Sequence, residues 1–184
     1  TMPETSSLAE VKAHLSELVA RVGAQHDRIT VTVHGRPTAV LVAVEDLESL
    51  EETIAILSDV AIVRKLAAAD AELARGEGVG RQELDEAMHP EDRAIDDLPY
   101  ELAVAPTARR QLAEELSESV AFAAYEFITG PLLENPHRVG KRLRAPLEDR
   151  HSARRGTYRV IYRIDDERRT VTVFGVFHRA DAYR

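Results

Sequence analysis

One stretch decides how many cores this chain builds. Residues 79–97 (VGRQELDEAMHPEDRAIDD) hold few apolar side chains, an internal proline and an acidic run. Such a segment reads as a linker or tail without a core of its own. Patterned sequence lies on both sides of it. The 184 residues are therefore expected to form two modules, each near the lower size limit for an independent core. The charge divides in the same way. The whole chain sums to −8. Residues 1–100 carry 9 basic and 20 acidic side chains, net −11, residues 101–184 carry 15 and 12, net +3, and the last fifty residues reach +7. An acidic total argues against a nucleic-acid partner, but an acidic half joined to a half with a basic end leaves that partner open.

Absent residue types narrow the chemistry. There is no cysteine, which excludes a disulfide scaffold, a thiol nucleophile and Cys-based metal sites. The seven histidines show no HExxH spacing, no glycine loop is built to cradle phosphate, and Ser152 lacks a nucleophile elbow. No metal or other cofactor is expected. No apolar run reaches the roughly 18–20 residues of a membrane span. The start, TMPETSSLAE, has neither basic flank nor apolar core. The expectation is a cytoplasmic protein without a membrane partner.

In the first module, Ser7-Leu8-Ala9-Glu10 fits a capping box, and Leu8, Val11, Leu15, Leu18, Val19 and Val22 fall on one helical face. Gly23 is a plausible terminator. Ile29, Val31 and Val33 alternate with polar residues as in a half-buried strand, Gly35-Arg36-Pro37 reads as a turn, and Thr38–Ala43 as the returning strand. A helix over about 45–58 follows, with Leu47, Leu50, Ile54 and Leu57 on one side. Asp59 caps another, to about Arg75, and Gln82–Met88 could add one or two turns.

The second module opens with a strand over Tyr100–Ala105. A helix capped by Thr107 runs to about Ser117, and another from Ser119 carries Val120, Ala123, Ala124, Phe127 and Ile128 as its stripe. Residues 131–147 are loop-like. Glu148–Arg154, Thr157–Ile164 and Thr170–Phe177 read as three strands in meander order. Strand, helix pair and three-stranded antiparallel meander make an α+β fold, with helices on one face of a sheet. Phe122, Tyr125 and Phe127 are expected in the core.

Residues 7–58 resemble the Phd/YefM antitoxin family, RelB-like members included. The likeness rests on Ala9, Lys12, Leu15, Ser16, Glu17 and Leu18, then on ITVTVHGRPTAVLVAVEDLESLEE and TIAILS. It implies a domain that forms a homodimer and binds operator DNA, with an extended segment that wraps the toxin. Lys12 stands where a basic residue on the first helix is expected. Val33 occupies a position that is usually basic, with Arg28, His34 and Arg36 nearby and Arg21 at the end of the first helix. Lys12 and Arg36 are the DNA-binding candidates, since phosphate needs clustered positive charge.

Residues 100–184 resemble the RelE toxins of the RelE/ParE superfamily. ELAVAPTARRQL, GPLLENPHRVGKRLR and LEDRHSARRGTYRVIYRIDDERRTVTVFGVFHRADAYR occur in the expected order. The resemblance implies a metal-free endonuclease that cuts mRNA on the ribosome, by attack of the ribose 2′-hydroxyl on the adjacent phosphate. It places Arg159 and Arg179 on the scissile phosphate and Tyr183 on the target nucleotide, with Arg154 and Arg155 as further phosphate contacts. The residues agree with that chemistry. Arginine presents a planar, permanently charged fork to phosphate oxygens but carries protons poorly. Arg150, Ser152 and Arg154 share one strand face by the period of two; some members of the family resembled place lysines where this chain has Arg150 and Ser152, so a lysine acid/base role does not transfer. His151 and His178 are the nearby groups suited to proton transfer, and His178 is the better candidate. Arg142 and Arg144, with Lys141, are expected to bind RNA backbone or the acidic linker.

The domains expected are 1–58 for dimerisation and DNA, 59–97 as neutralising helical segment and acidic linker, and 98–184 as toxin. Residues 60–97 would cover the basic sheet and neutralise its arginines. Two competing readings are a DNA-binding repressor with a catalytically inactive RelE-like partner domain, and a pure interaction protein.

Overall fold

The computed structural model describes residues 4–88 and 99–178. The chain forms two compact units, Thr1–Glu51 and Glu52–Arg184. The first contains β1 (Glu4–Ser7), α1 (Leu8–Gln25), β2 (Ile29–Val33), β3 (Arg36–Leu41) and the start of α2 (Val44–Leu57). The capping box forms: the Ser7 hydroxyl accepts from the Glu10 N–H at 3.3 Å, and the Ser7 N–H donates to the Glu10 carboxylate at 2.8 Å. The helix runs past Gly23 and stops at His26, whose φ of 56° is left-handed. Val11, Leu18 and Val22 of α1 pack on Ile29 and Val31 of β2 and on Ala43. The hairpin turn is His34-Gly35, with φ of 50° and 75°. Two positive φ values in a row give the turn whose twist matches that of the strands, and glycine takes the second without strain. The turn thus comes earlier than expected, because Arg36 already pairs with Val33. β1, parallel to β2, was not foreseen; four residues give too few alternations to stand out.

The second unit holds the rest of α2, α3 (Val60–Ala74), β4 (Val79–Gly80), α4 (Arg81–Met88), β5 (Glu101–Val104) and α5 (Pro106–Arg110), which runs into a π-helical turn at Gln111–Glu115. Then come α6 (Glu118–Thr129), α7 (Pro131–Glu134), α8 (Pro136–Val139), β6 (Lys141–Arg142), β7 (His151–Arg155), β8 (Tyr158–Asp165) and β9 (Thr170–His178). The strands form one sheet in the order β4-β5-β9-β8-β7-β6, with β5 parallel to β9 and the other neighbours antiparallel. This is the α+β arrangement read from the sequence, with β7–β8–β9 as its meander.

Alternation along β8 separates two cores. Tyr158, Val160 and Tyr162 join Leu112, Ala124, Tyr125, Phe127 and Ile128 on the side of α5 and α6. Ile161 joins Phe174, Phe177 and Leu143 on the other side, with Ile56 of α2 and Ile62, Leu66 and Ala69 of α3. The sheet therefore lies between its own helix pair and helices from the acidic half. Burial of side chains such as Ile62 and Leu66 contributes about 1.5–3 kcal/mol each. Asp59 caps α3 through the N–H groups of Ala61 and Ile62, at 2.9 and 3.1 Å. Leu84 of α4 is fully buried in the first core.

Several local expectations are corrected. Leu47, Leu50, Ile54 and Leu57 of α2 are exposed, while Glu52 and Thr53 are buried against polar groups and Ile56 in the apolar cluster around Phe174. Thr107 does not cap α5; the N-cap is Ala105, and the Thr107 N–H is taken by Glu72 at 2.7 Å. The strand expected from Glu148 begins at His151. Residues 131–147 contain α7, α8 and β6. Phe122 is 58% exposed, whereas Tyr125 and Phe127 are core residues as expected. The register of β8 against β9 shifts between Ile161 and Tyr162, and the Gln111 side-chain oxygen accepts from the Val176 N–H at 3.0 Å.

Candidate functional site

The sheet face turned toward α2 and α3 carries a group of arginines. Arg154 on β7 stands directly opposite Arg159 on β8. Ser152, two residues along β7, shares their face. Like charges facing each other across strands are unfavourable, and Glu52 of α2 offsets the repulsion. This residue is 6% exposed. Its carboxylate accepts from the Ser152 hydroxyl at 2.6 Å, pairs with Arg154, and lies 2.6 Å from Arg159 Nε, while Arg159 Nη2 donates to it at 3.4 Å. The Arg159 Nε–H is not aligned with the nearby oxygen and has no hydrogen-bond partner among the described residues. Burial pulls the Arg159 pKa down, Glu52 opposes that and Arg154 adds to it; a guanidinium stays charged throughout.

Two more carboxylates repeat the pattern. Arg150 is buried, and its Nη2 donates to both Asp70 oxygens at 2.7 and 2.6 Å. Its guanidinium lies 4.3 Å from the centre of the Phe174 ring, a cation–π contact. Glu72 accepts from Arg110 at 2.7 Å and from the Thr107 N–H. Burial pushes the Glu72 carboxyl up, but the hydrogen bonds from Arg110 and Thr107 outweigh it and hold the pKa below the ordinary value. Thr53 adds a neutral contact, accepting from the Arg144 N–H at 2.8 Å.

The expected site residues are not all brought together. Arg150, Ser152, Arg154 and Arg159 converge on this face. Arg155 does not: as the neighbour of Arg154 on a strand it points the other way, where its guanidinium lies 4.6 Å from the Phe127 ring centre. His178 pairs in register with Tyr158, whose hydroxyl donates to Ala123 of α6, so the histidine lies on the helix-pair face, opposite Arg159. The same holds for His151, which is opposite Tyr162 and stacks on it at 5.5 Å. Burial lowers the His151 pKa to about 4. Neither histidine reaches the arginine face. Arg142 and Arg144 are exposed, and Arg142 Nε donates to the Glu148 carbonyl at 2.9 Å. Lys12 and Arg36 are exposed on the first unit. Arg179 and Tyr183 lie outside the described residues, as do residues 89–97 of the linker.

Glu52, Asp70 and Glu72 were missed as individual site residues. A weak signal exists for Glu52: with Ser49, Thr53 and Ile56 it forms a second stripe on α2 at helical spacing, less apolar than the stripe of Leu47, Leu50, Ile54 and Leu57.

A basic sheet face met by carboxylates from the preceding acidic segment defines a two-part protein, a basic domain and the acidic segment that contacts it. The family comparisons agree. The ParE toxin family of type II toxin–antitoxin systems matches residues 92–183, half of the chain, and the Phd_YefM antitoxin family of type II systems matches residues 3–76. The chain belongs to these families: it is a type II toxin–antitoxin pair of RelBE type in one chain. Its second half is 52% identical over 89 residues to Toxin RelE of Mycobacterium tuberculosis, covering 48% of this chain and 91% of that protein. Antitoxin RelB of the same organism is 42% identical over 77 residues, 42% of this chain and 86% of the relative. One chain of the crystal structure of the toxin–antitoxin complex RelBE2 from Mycobacterium tuberculosis is 49% identical, covering 45% of this chain and all of that one, with a TM-score of 0.43. No helix among the described residues is long and apolar enough to cross a membrane.

Proposed function

We propose that residues 98–184 are a ribosome-dependent mRNA endonuclease held inactive by residues 59–97 together with the end of α2. The observation that carries this reading is the convergence of Ser152, Arg154 and Arg159 on the single buried carboxylate of Glu52. In the proposed reaction the 2′-hydroxyl loses its proton and its oxygen bonds to the adjacent phosphorus. The bond to the 5′ oxygen breaks, that oxygen takes a proton, and a cyclic phosphate and a 5′-hydroxyl end result. Charge builds on the phosphorane oxygens, where Arg159 stabilises it. Arg179 and Tyr183 keep the roles implied by the family resemblance, and Arg142, Arg144 and Arg154, with Arg150 once it is uncovered, hold RNA backbone.

Residues 1–58 form the homodimer and bind operator DNA through Lys12 and Arg36, repressing their own operon. The exposed apolar side chains Leu15, Val19 and Val40 support the dimer. The test is cleavage of mRNA on translating ribosomes by residues 98–184, with and without residues 1–97. Cutting by the first and silence with the second are expected. If a folded second module leaves mRNA intact, the enzyme reading fails.

A further inference from the structure

We propose that Ser152, Arg154 and Arg159 form one oxyanion seat for an RNA phosphodiester, with Ser152 a phosphate ligand in its own right, and that Glu52 occupies the seat as a surrogate for that phosphate. The identity of the natural anion rests on the nuclease reading; the existence of the seat does not.

Three observations carry the proposal. Arg154 and Arg159 are cross-strand partners, so the ladder itself fixes two positive charges face to face. Facing like charges repel, and an anion between them offsets the repulsion, most strongly at Arg159, whose side chain is 15% exposed against 56% for Arg154. The Ser152 hydroxyl completes the seat on the same face, and all three groups turn to the same carboxylate. The fit of that carboxylate is incomplete, because the Arg159 Nε–H, buried beside it, makes no hydrogen bond among the described residues. A planar carboxylate offers its acceptors in one plane. A tetrahedral phosphodiester also offers two anionic oxygens on one centre, but with bridging oxygens out of that plane, where a misaligned donor can find an acceptor. Inhibition is then direct occupation of the substrate's seat, and not a general neutralisation of charge.

The test is made on the full chain, with dimethyl phosphate as probe and calorimetric titration as the measurement. Glu52→Ala should bind dimethyl phosphate saturably, at least about 10-fold more tightly than the parent chain, in which Glu52 competes. Its melting temperature should rise as the probe is added. Ser152→Ala, added to the Glu52→Ala chain, should weaken binding by about 10-fold, the loss expected for a hydrogen bond to a charged group. Acetate should bind the Glu52→Ala chain more weakly than dimethyl phosphate. Circular dichroism checks folding, and Glu52→Ser, which keeps a polar group at the buried position, replaces the alanine variant if that chain does not fold. Equal binding by parent and variants overturns the seat. No effect of Ser152→Ala removes serine from it. Acetate binding as tightly as the diester makes the seat one for carboxylates and overturns the surrogate. No cleavage is read here, so a chain that binds the diester while the released toxin fails to cut RNA upholds the seat and overturns the nuclease reading alone.

Discussion

Arg154 and Arg159 face each other across β7 and β8, two like charges held in register by the strand ladder, with the Glu52 carboxylate between them. The pairing ties the Glu52 contact to the geometry of the sheet. Whatever displaces Glu52 leaves two guanidinium groups ready for another anion. In the released second module, Arg159→Ala should slow mRNA cleavage on ribosomes at least about 10-fold, equivalent to about 1.4 kcal/mol. Arg179→Ala is expected to do the same. Unchanged rates for both variants would remove the phosphate-holding roles.

Leu66 anchors α3 to the arginine face and is nearly fully buried. Leu66→Ala should destabilise the second unit by about 2–5 kcal/mol through lost transfer energy and the cavity left behind. Urea unfolding of the full chain measures it. A change below about 1 kcal/mol would mean that α3 does not depend on this core.

Glu72 makes the attachment of α3 sensitive to acid. Its folded pKa is lowered, because its hydrogen bonds with Arg110 and Thr107 outweigh burial. Its contribution is therefore present above the ordinary carboxylate value of about 4.3 and is lost as pH falls through the lowered folded value. Melting temperatures of the parent and Glu72→Gln chains should differ at pH 7 and converge toward pH 3. A gap that persists at low pH contradicts the assignment.

His151 also favours its unprotonated form in the folded chain, but through burial. Burial, helped by His137 and Arg142, lowers its pKa from 6.5 to about 4. Between those values the unfolded chain takes up a proton that the folded chain refuses. Stability contributed by the neutral ring is complete above pH 6.5 and declines as pH falls toward 4. His151→Phe keeps a ring against Tyr162 and should flatten this part of the stability profile. Identical slopes in the two chains would exclude His151 as the cause.

Gly140 lies where β6 meets the core. A Cβ there would clash with the Tyr162 hydroxyl and come within 2.9 Å of the Ser152 carbonyl oxygen. Tyr162 cannot simply withdraw, since its hydroxyl donates to the Pro136 carbonyl at 2.6 Å in a buried position. Gly140→Ala should cost about 1–3 kcal/mol by overpacking, read as a lower melting temperature. A neutral result would show that this corner yields freely.

Local patterns carried much of the fold into the sequence. The Ser7–Glu10 box, the β2–β3 hairpin, the Asp59 cap and the alternation of β8 depend on neighbours a few residues apart, and all were legible. β1 and β4 were not, being four and two residues long. The arginines were visible because one residue type recurs along the last strands. Their covering carboxylate was not: Glu52 is separated by 100 residues from Ser152 and by 107 from Arg159. On α2 the periodic leucines mark the exposed side, while the buried side mixes Glu52 and Thr53, which meet polar groups, with Ile56, which meets the apolar cluster. The orientation of His178 depends on strand register, which composition does not encode.

β4 is only a two-residue strand, yet it closes one margin of the sheet by pairing Val79 with Val104 and Gly80 with Ala103. Removing residues 1–97 to free the toxin also strips this margin, leaving unpaired amide and carbonyl groups open to any other extended chain. Freed toxin is thus expected to be adhesive toward its own copies. Dilution, or prompt capture by a fresh inhibitor, then governs how long it stays dispersed.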